Sequence, residues 1–292
     1  MFQEAIKKTK NYTTNVVLSM RRLSGKVDTA MFTAIILNKD GDFLSSAHTF
    51  QAISEYKQHQ EQIKKNRARR EEIRTMGLSK EQEQAEMMRI LDHPMSITHI
   101  DFYVPRFKAS IDISTLKTDY AKDLATFRLK NRPPMGIEDY PRFFDNNQDM
   151  QVGTQLCRLG YAFNEARVAF APKKGFLFFE KFSTQEMYPN DGMLTRLRTL
   201  KRSSNVPFEG TFIELSTPGL KGQSGCAIFD TYGTVYGIQS HTSHLPLNMA
   251  VPFPNKMQVV TLEHQVLNVG LGVHSVEIEK FLLAHSIDFW VA

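Results

Sequence analysis

Ser224 is the residue of this chain best placed to do chemistry. It stands in Lys221-Gly222-Gln223-Ser224-Gly225-Cys226-Ala227-Ile228-Phe229, flanked by glycines and just ahead of an apolar strand. A serine hydroxyl is a weak nucleophile near neutral pH; it needs an imidazole to take its proton and a carboxylate to orient that imidazole. Both occur upstream. Gly41-Asp42-Phe43-Leu44-Ser45-Ser46-Ala47-His48 reads as a short strand ending in small residues, which leaves His48 room in a crowded cleft. Asp123 opens the alternating run Leu124-Ala125-Thr126-Phe127-Arg128-Leu129, a strand pattern that would bury its carboxylate against the imidazole. Asp119 competes for this role, but Tyr120-Ala121-Lys122 follows it in place of the alternation. Cys226 offers a thiol two residues beyond Ser224, in a strand where a cysteine packed inward is the simpler reading. His241, His244 and His264 have loose metal-ligand spacing with no carboxylate or thiolate to complete a set, so neither metal nor cofactor is expected.

Taken in order, Ser46-Ala47-His48, Asp123-Leu124-Ala125 with Phe127 and Leu129, Gly222-Gln223-Ser224-Gly225 and Gly237-Ile238-Gln239-Ser240 resemble the chymotrypsin-like (trypsin-fold) serine peptidases. Within them the pattern is most similar to the protease domain of the bacterial HtrA-like branch, without disulfides. The resemblance spans residues 31 to 240, most of the chain. It implies a mainly β fold of two six-stranded antiparallel β-barrels. It also implies acyl transfer by a catalytic triad: Ser224 as nucleophile, His48 as general base and then acid, and Asp123 holding His48 in the right tautomer. The backbone N–H groups of Gly222 and Ser224 would receive the oxyanion, and a glycine at 222 suits a turn that most residues disfavour.

The same resemblance locates substrate contacts. Pro218 falls at the base of the primary specificity pocket, where an acid would select lysine or arginine, so that preference is not supported. Gln239 and Ser240 would pair their backbone with extended substrate, and His241 and Thr242 would line the pocket wall. Gln223 stands where digestive relatives carry the aspartate that pairs with a newly cut N-terminus, which implies control by another route. The chain ends at Ala292, too early for the PDZ module that HtrA proteins carry.

The elements that must position these residues follow from pattern. A short helix over 2–9 precedes strands near 14–20, 31–37 and 43–47. Residues 51–92 are dense in Glu, Gln, Lys and Arg and predict a two-helix arm, with Gly77 as a stop and Ser79-Lys80-Glu81-Gln82 as a capping box. Strands resume at 97–104, 109–113 and 124–129. Arg132-Pro133-Pro134 begins a connector that neither ladder type can continue. The chain is thus expected to divide into a first barrel half over 1–132, a connector over 133–150 and a second half over 151–292. The second half should hold a strand at 155–161, a hairpin over 168–182 and a polar irregular stretch over 183–205. Strands at 211–216, 226–230, 234–239 and 259–266 should follow, and then a terminal helix over 276–284.

Composition narrows the class. With 292 residues and 41% apolar content, the chain can fill two half-barrels. Residues 1–30 lack the apolar core of a secretory signal and no run of eighteen apolar residues occurs, which argues for a cytoplasmic protein off the membrane. Only Cys157 and Cys226 are present, as expected of a reducing compartment. The net charge of +5 is discounted as a nucleic-acid signal, because the clusters over 64–70 and 196–202 read as solvated faces, the first followed at once by Glu71 and Glu72. The reading is an intracellular serine endopeptidase acting on a protein or peptide substrate, with the arm either a solvated excursion folded back on the first barrel or a docking surface for a regulatory partner. A protease-fold binding module without turnover is the alternative.

Overall fold

Six strands of three to eleven residues, rich in apolar and β-branched side chains, build the first barrel. The structure, a computed structural model, describes residues 1–179, 185–203, 207–247, 250–252, 259–261 and 265–292. Helix α1 (Gln3–Tyr12) leads into β1 (Thr13–Arg22), β2 (Val27–Ile36) and β3 (Phe43–Ser45). The arm follows as α2 (Ala52–Thr75) and α3 (Lys80–Met88), then β4 (Ile97–Val104), β5 (Ala109–Asp119) and β6 (Leu124–Leu129). The six strands close in the order β1-β2-β3-β6-β5-β4, every neighbouring pair antiparallel. Phe32, Phe43, Phe50, Phe102 and Phe127 fill the centre, linked by ring centroids 5.1 to 6.3 Å apart. Such pairs prefer edge and offset geometries and add to the burial of their large apolar area.

The second half begins with β7 (Arg142–Phe143) and β8 (Gln155–Gly160). A side hairpin, β9 (Val168–Ala171) and β10 (Gly175–Phe178), is followed by β11 (Tyr188–Leu200), β12 (Gly210–Leu215), β13 (Ala227–Phe229) and β14 (Thr234–Pro246). After the short pair β15 (Ala250–Pro252) and β16 (Val259–Thr261) come β17 (Val266–His274), α4 (Ser275–Ala284) and β18 (Trp290–Val291). The order β13-β8-β11-β12-β17-β14, closed by the β13–β14 pairing, is a second six-stranded ring. The double β-barrel is therefore observed. The halves interlock: Phe2 ahead of α1 packs edge-on against Phe229, and the Asn38 side chain donates to the carbonyl of Asp288. We propose the division at 133–150 for this chain, with β7, inside that connector, laid in parallel between β14 and β18.

Three sequence expectations change. The stretch 183–205, read as irregular, contains the thirteen-residue strand β11. Its Pro189-Asn190-Asp191-Gly192 start looks like a turn, yet pairing with β8 on one side and β12 on the other overrides local preference. Strand β14 runs on to Pro246, well past 239, because β17 pairs with it from Gly237 to Pro246. The strand expected over 259–266 is split between β16 and the start of β17, and residues 262–264 lie outside the described set. The hairpin expected over 168–182 is seen as far as Phe178; residues 180–184 are likewise outside the description.

The arm has its two helices and its capping box: Ser79 Oγ accepts from the Gln82 amide at 3.3 Å, and the Gln82 side chain accepts from the Ser79 amide at 3.1 Å. Among its residues α2 buries only Ile53, Asn66 and Ile73. The helix lies back along β4, where the Ile97 amide donates to His59 Nδ1 at 3.1 Å and Gln60 Nε2 donates to the Ile97 carbonyl at 2.9 Å. Much of its positive charge is met locally, by Arg69–Glu72, Arg74–Glu71 and Arg70–Asp92. In the second cluster Arg196 grips Glu214 with two hydrogen bonds of 2.8 and 2.9 Å.

Candidate active site

His48 sits in a single 3-10 turn (Ala47–Phe50) that ends β3. Phe50, fully buried among the barrel phenylalanines, anchors the turn below. The Ser46 hydroxyl ties it above to the carbonyl of Gln239 on β14, at 2.8 Å. The turn is thereby fixed to both barrels, while the His48 ring stays 39% exposed at the cleft.

Asp123 is almost wholly buried and adopts the left-handed conformation at φ +57°, turning the chain into β6 with its carboxylate aimed at His48. Its Oδ1 accepts from the His48 amide at 2.8 Å, and Oδ1 and Oδ2 lie 3.0 and 2.9 Å from His48 Nδ1. Oδ2 also accepts from the hydroxyl of Ser240. Every partner is a donor, the pattern a carboxylate takes, and it fixes the proton of His48 on Nδ1. Nε2 is then left to accept from Ser224 Oγ, 3.1 Å away. Asp119 instead accepts from the Lys122 amide in the turn before Asp123.

The loop that carries Ser224 is gripped from the first barrel. The Thr33 amide donates to the Ser224 carbonyl at 3.0 Å, and Thr33 Oγ1 donates to the Gly222 carbonyl at 2.8 Å while accepting from the Tyr161 amide at 3.1 Å. Gly222 at φ +97° and Gly225 at φ +83° are both obligatory. A Cβ on the first would strike the Tyr161 carbonyl, and on the second the Ser45 hydroxyl and the Thr33 carbonyl. Gln223 is buried; its Oε1 accepts from the Leu220 amide at 3.1 Å and its Nε2 donates to the Tyr188 carbonyl at 3.2 Å. It therefore braces the loop from within, with a neutral group. Among the described residues the amides of Gly222 and Ser224 have no intramolecular acceptor, so both are available to an oxyanion. A cleft of about 430 Å³, bounded by Thr29, Met31, Asn164, Arg167 and Lys221, opens beside Gly222.

The expected substrate contacts are placed unequally. The Pro218 carbonyl accepts from Asn190 at 2.8 Å. Thr242 Oγ1 donates to the Gly219 carbonyl at 2.9 Å, joining β14 to the segment ahead of Ser224. The half-buried His241 stacks on Phe208 with ring centroids 4.5 Å apart, and its Nδ1 lies 3.1 Å from Ser240 Oγ. Burial pushes its pKa down to about 4. Gln239 departs from the expectation: it is buried, and its amide and carbonyl are committed to Cys226 and Gly225 at 2.9 and 2.8 Å. Its backbone is therefore not free to pair with an extended peptide. Ser240 gives its hydroxyl to Asp123, while its backbone sits at the irregularity between Gln239 and His241 in the β14–β17 ladder. Cys226 is fully buried, and burial pushes its thiol up to about 12, which leaves it protonated. His244 pairs with Asn268, and His264 lies outside the described residues.

No protein-family model matches the chain, and no curated protein matches it significantly. Solved structures do match. The active form of the Rv3671c protease from M. tuberculosis aligns with a TM-score of 0.52 at 10% identity, over 99% of this chain and 86% of that one. An HtrA-type protease with a tripeptide aligns at 0.48 and 12% identity, over 98% of this chain and 65% of that one. The chain has the trypsin-like serine-protease fold.

Within that fold, the residues that sequence reasoning missed are those behind the reacting groups. Thr33 carried no signal, since a threonine in a β-strand is ordinary. Arg158 did carry one: a charged residue inside the run Leu156-Cys157-Arg158-Leu159 breaks an otherwise apolar strand. It is fully buried, with Nη1 donating to Gln239 Oε1 at 3.0 Å and Nη2 to the carbonyl and hydroxyl of Thr217.

Proposed function

We propose that the chain is a serine endopeptidase. The observation that carries this reading is the unbroken line Asp123–His48–Ser224, with Nε2 3.1 Å from the hydroxyl and two unpaired loop amides beside it. Ser224 Oγ attacks the substrate carbonyl as its proton passes to His48 Nε2. The amides of Gly222 and Ser224 hold the resulting oxyanion. His48, stabilised as a cation by Asp123, returns the proton to the leaving amine and leaves an acyl group on Ser224. A water activated by the same imidazole then releases the acid. No cofactor is required for these steps.

An intracellular setting is part of the proposal, supported by two free, buried thiols where secreted proteins of this fold commonly use disulfides. Among the described residues no helix is long and apolar enough to cross a membrane. The arm is proposed as the docking surface of a regulatory protein, supported by the exposed Met76, Met88 and Leu91. The test of the peptidase reading is labelling by a fluorophosphonate probe. Wild type should label and Ser224→Ala should not; a folded wild type that never labels would leave the chain a binding module.

A further inference from the structure

Arg158 is a buried cation whose hydrogen bonds all go to neutral acceptors, Gln239 and Thr217. Its Nε has no partner at all. Among the described residues no ion pair forms on it, and Asp191, near enough to feel its field, is exposed on β11. Taking a guanidinium out of water without a counter-ion costs several kcal/mol even after relaxation. A structural tie between strands could be made with neutral groups at less cost, so the charge itself calls for a partner.

Its neighbours adjoin the residues that the peptidase reading makes the walls of a primary pocket. Thr217 immediately precedes Pro218, Gln239 immediately precedes Ser240, and Gly270 is the ladder partner of Thr242. Gly270 and Gly219 keep side chains out of the floor: a Cβ on Gly270 would strike Arg158 Nη1, and one on Gly219 would strike the Gln239 carboxamide. The backbone of Gly219 and Gly270 and the neutral Gln239 carboxamide therefore separate this region from a positive charge in low dielectric, where its field is poorly screened. At the mouth, the Thr242 hydroxyl can turn from the Gly219 carbonyl to a ligand.

We propose that this pocket selects an acidic side chain, glutamate or aspartate, on the acyl side of the scissile bond, with Arg158 as the specificity-determining cation behind the floor. The inference rests on the peptidase reading above. The bound carboxylate accepts from Thr242 and supplies the negative charge that Arg158 lacks, whereas lysine or arginine there is repelled. This agrees with a neutral proline at 218.

The test is a set of matched peptides that differ only at that residue, with fluorophosphonate labelling measured on the same preparation. Glu should exceed Gln, and Asp exceed Asn, by at least about tenfold in kcat/KM, with Lys the poorest. Arg158→Gln should bring the acid-to-amide ratio close to one, and Thr242→Val should lower it a few-fold. If Arg158→Gln does not fold, the wild-type ratios and Thr242→Val decide. An enzyme that labels but cleaves the amide or lysine peptides as well as the acidic ones overturns the specificity and leaves the peptidase reading standing. A wild type that does not label overturns both.

Discussion

The nucleophile loop is held by hydrogen bonds that reach it from the opposite barrel, whereas the helical arm is held along one side by a few contacts to β4 and by pairs within itself. Thr33 alone contributes three bonds around the loop, and Gly222 and Gly225 leave it no slack. On the arm, α2 has a hydrophobic stripe too weak to define a buried face, and its ion pairs Arg69–Glu72 and Arg74–Glu71 are solvent-exposed. Exposed pairs of this kind contribute little to stability. Rigidity in this molecule is concentrated where sub-ångström placement decides the rate, and the arm is joined to it through Phe50 and Ile53, both buried at its root.

Breaking the rigid side should have the largest effects. Ser224→Ala or His48→Ala should lower peptide turnover by about 10⁴-fold or more, since the members of a triad act as a unit. Both variants should keep the wild-type circular dichroism spectrum. Thr33→Val keeps shape but removes the hydroxyl that joins the Gly222 carbonyl to the Tyr161 amide. It should cost roughly ten- to a hundredfold in kcat with little change in KM, because the loop shifts and its surface for substrate does not. A Thr33→Val enzyme with unaltered kcat would show that the grip from the first barrel is dispensable.

Titration separates the two regions less sharply, but with a definite sign. Burial holds His241 and His274 at about 4, down from the ordinary 6.5, and His274 Nδ1 must stay unprotonated to accept from the Val276 amide and cap α4. Between pH 4 and 6.5 the unfolded chain therefore binds more protons than the folded one, so stability rises with pH across that window. The melting temperature should fall as pH is lowered from about 6.5 to 4, and His274→Asn should flatten part of that slope. A melting temperature that stays level through the window would contradict the burial of the two rings as neutral groups.

The smallest effect belongs to the arm. Gln60→Ala removes one tie to β4 and should cost about 0.5–1.5 kcal/mol in thermal or urea unfolding while peptide turnover stays within about twofold. A loss of turnover beyond tenfold would mean that the arm communicates with His48 even without a partner.

The same contrast governs what could be read from sequence. The arm's helices were legible because capping and helix propensity are local: Ser79 and Gln82 mark a helix start wherever they stand. The three residues that the structure brings together, His48, Asp123 and Ser224, were nameable because each stands beside small neighbours or an alternating strand, in a fixed order along the chain. Thr33 and Gln223 were not legible as braces, since their partners lie far away in sequence and nothing local distinguishes a threonine that clamps a loop from one that merely lines a strand. Strand β11 was hidden for a related reason. Its proline, asparagine, aspartate and glycine favour a turn, and only the ladders of β8 and β12 make it extended. Gln239 was placed among the substrate contacts because the motif carrying it shows where the strand runs but not that its amide and carbonyl are already paired with Cys226 and Gly225.

The central claim is that Ser224 forms a covalent acyl intermediate, and its most direct test is intact-mass spectrometry of the protein quenched in acid during turnover of an activated peptide ester. Wild type should gain the mass of the acyl group, mapped by digestion to Ser224, and Asp123→Asn should gain it far more slowly. A folded wild type that turns the ester over with no adduct, or with the adduct on Cys226, would contradict the account.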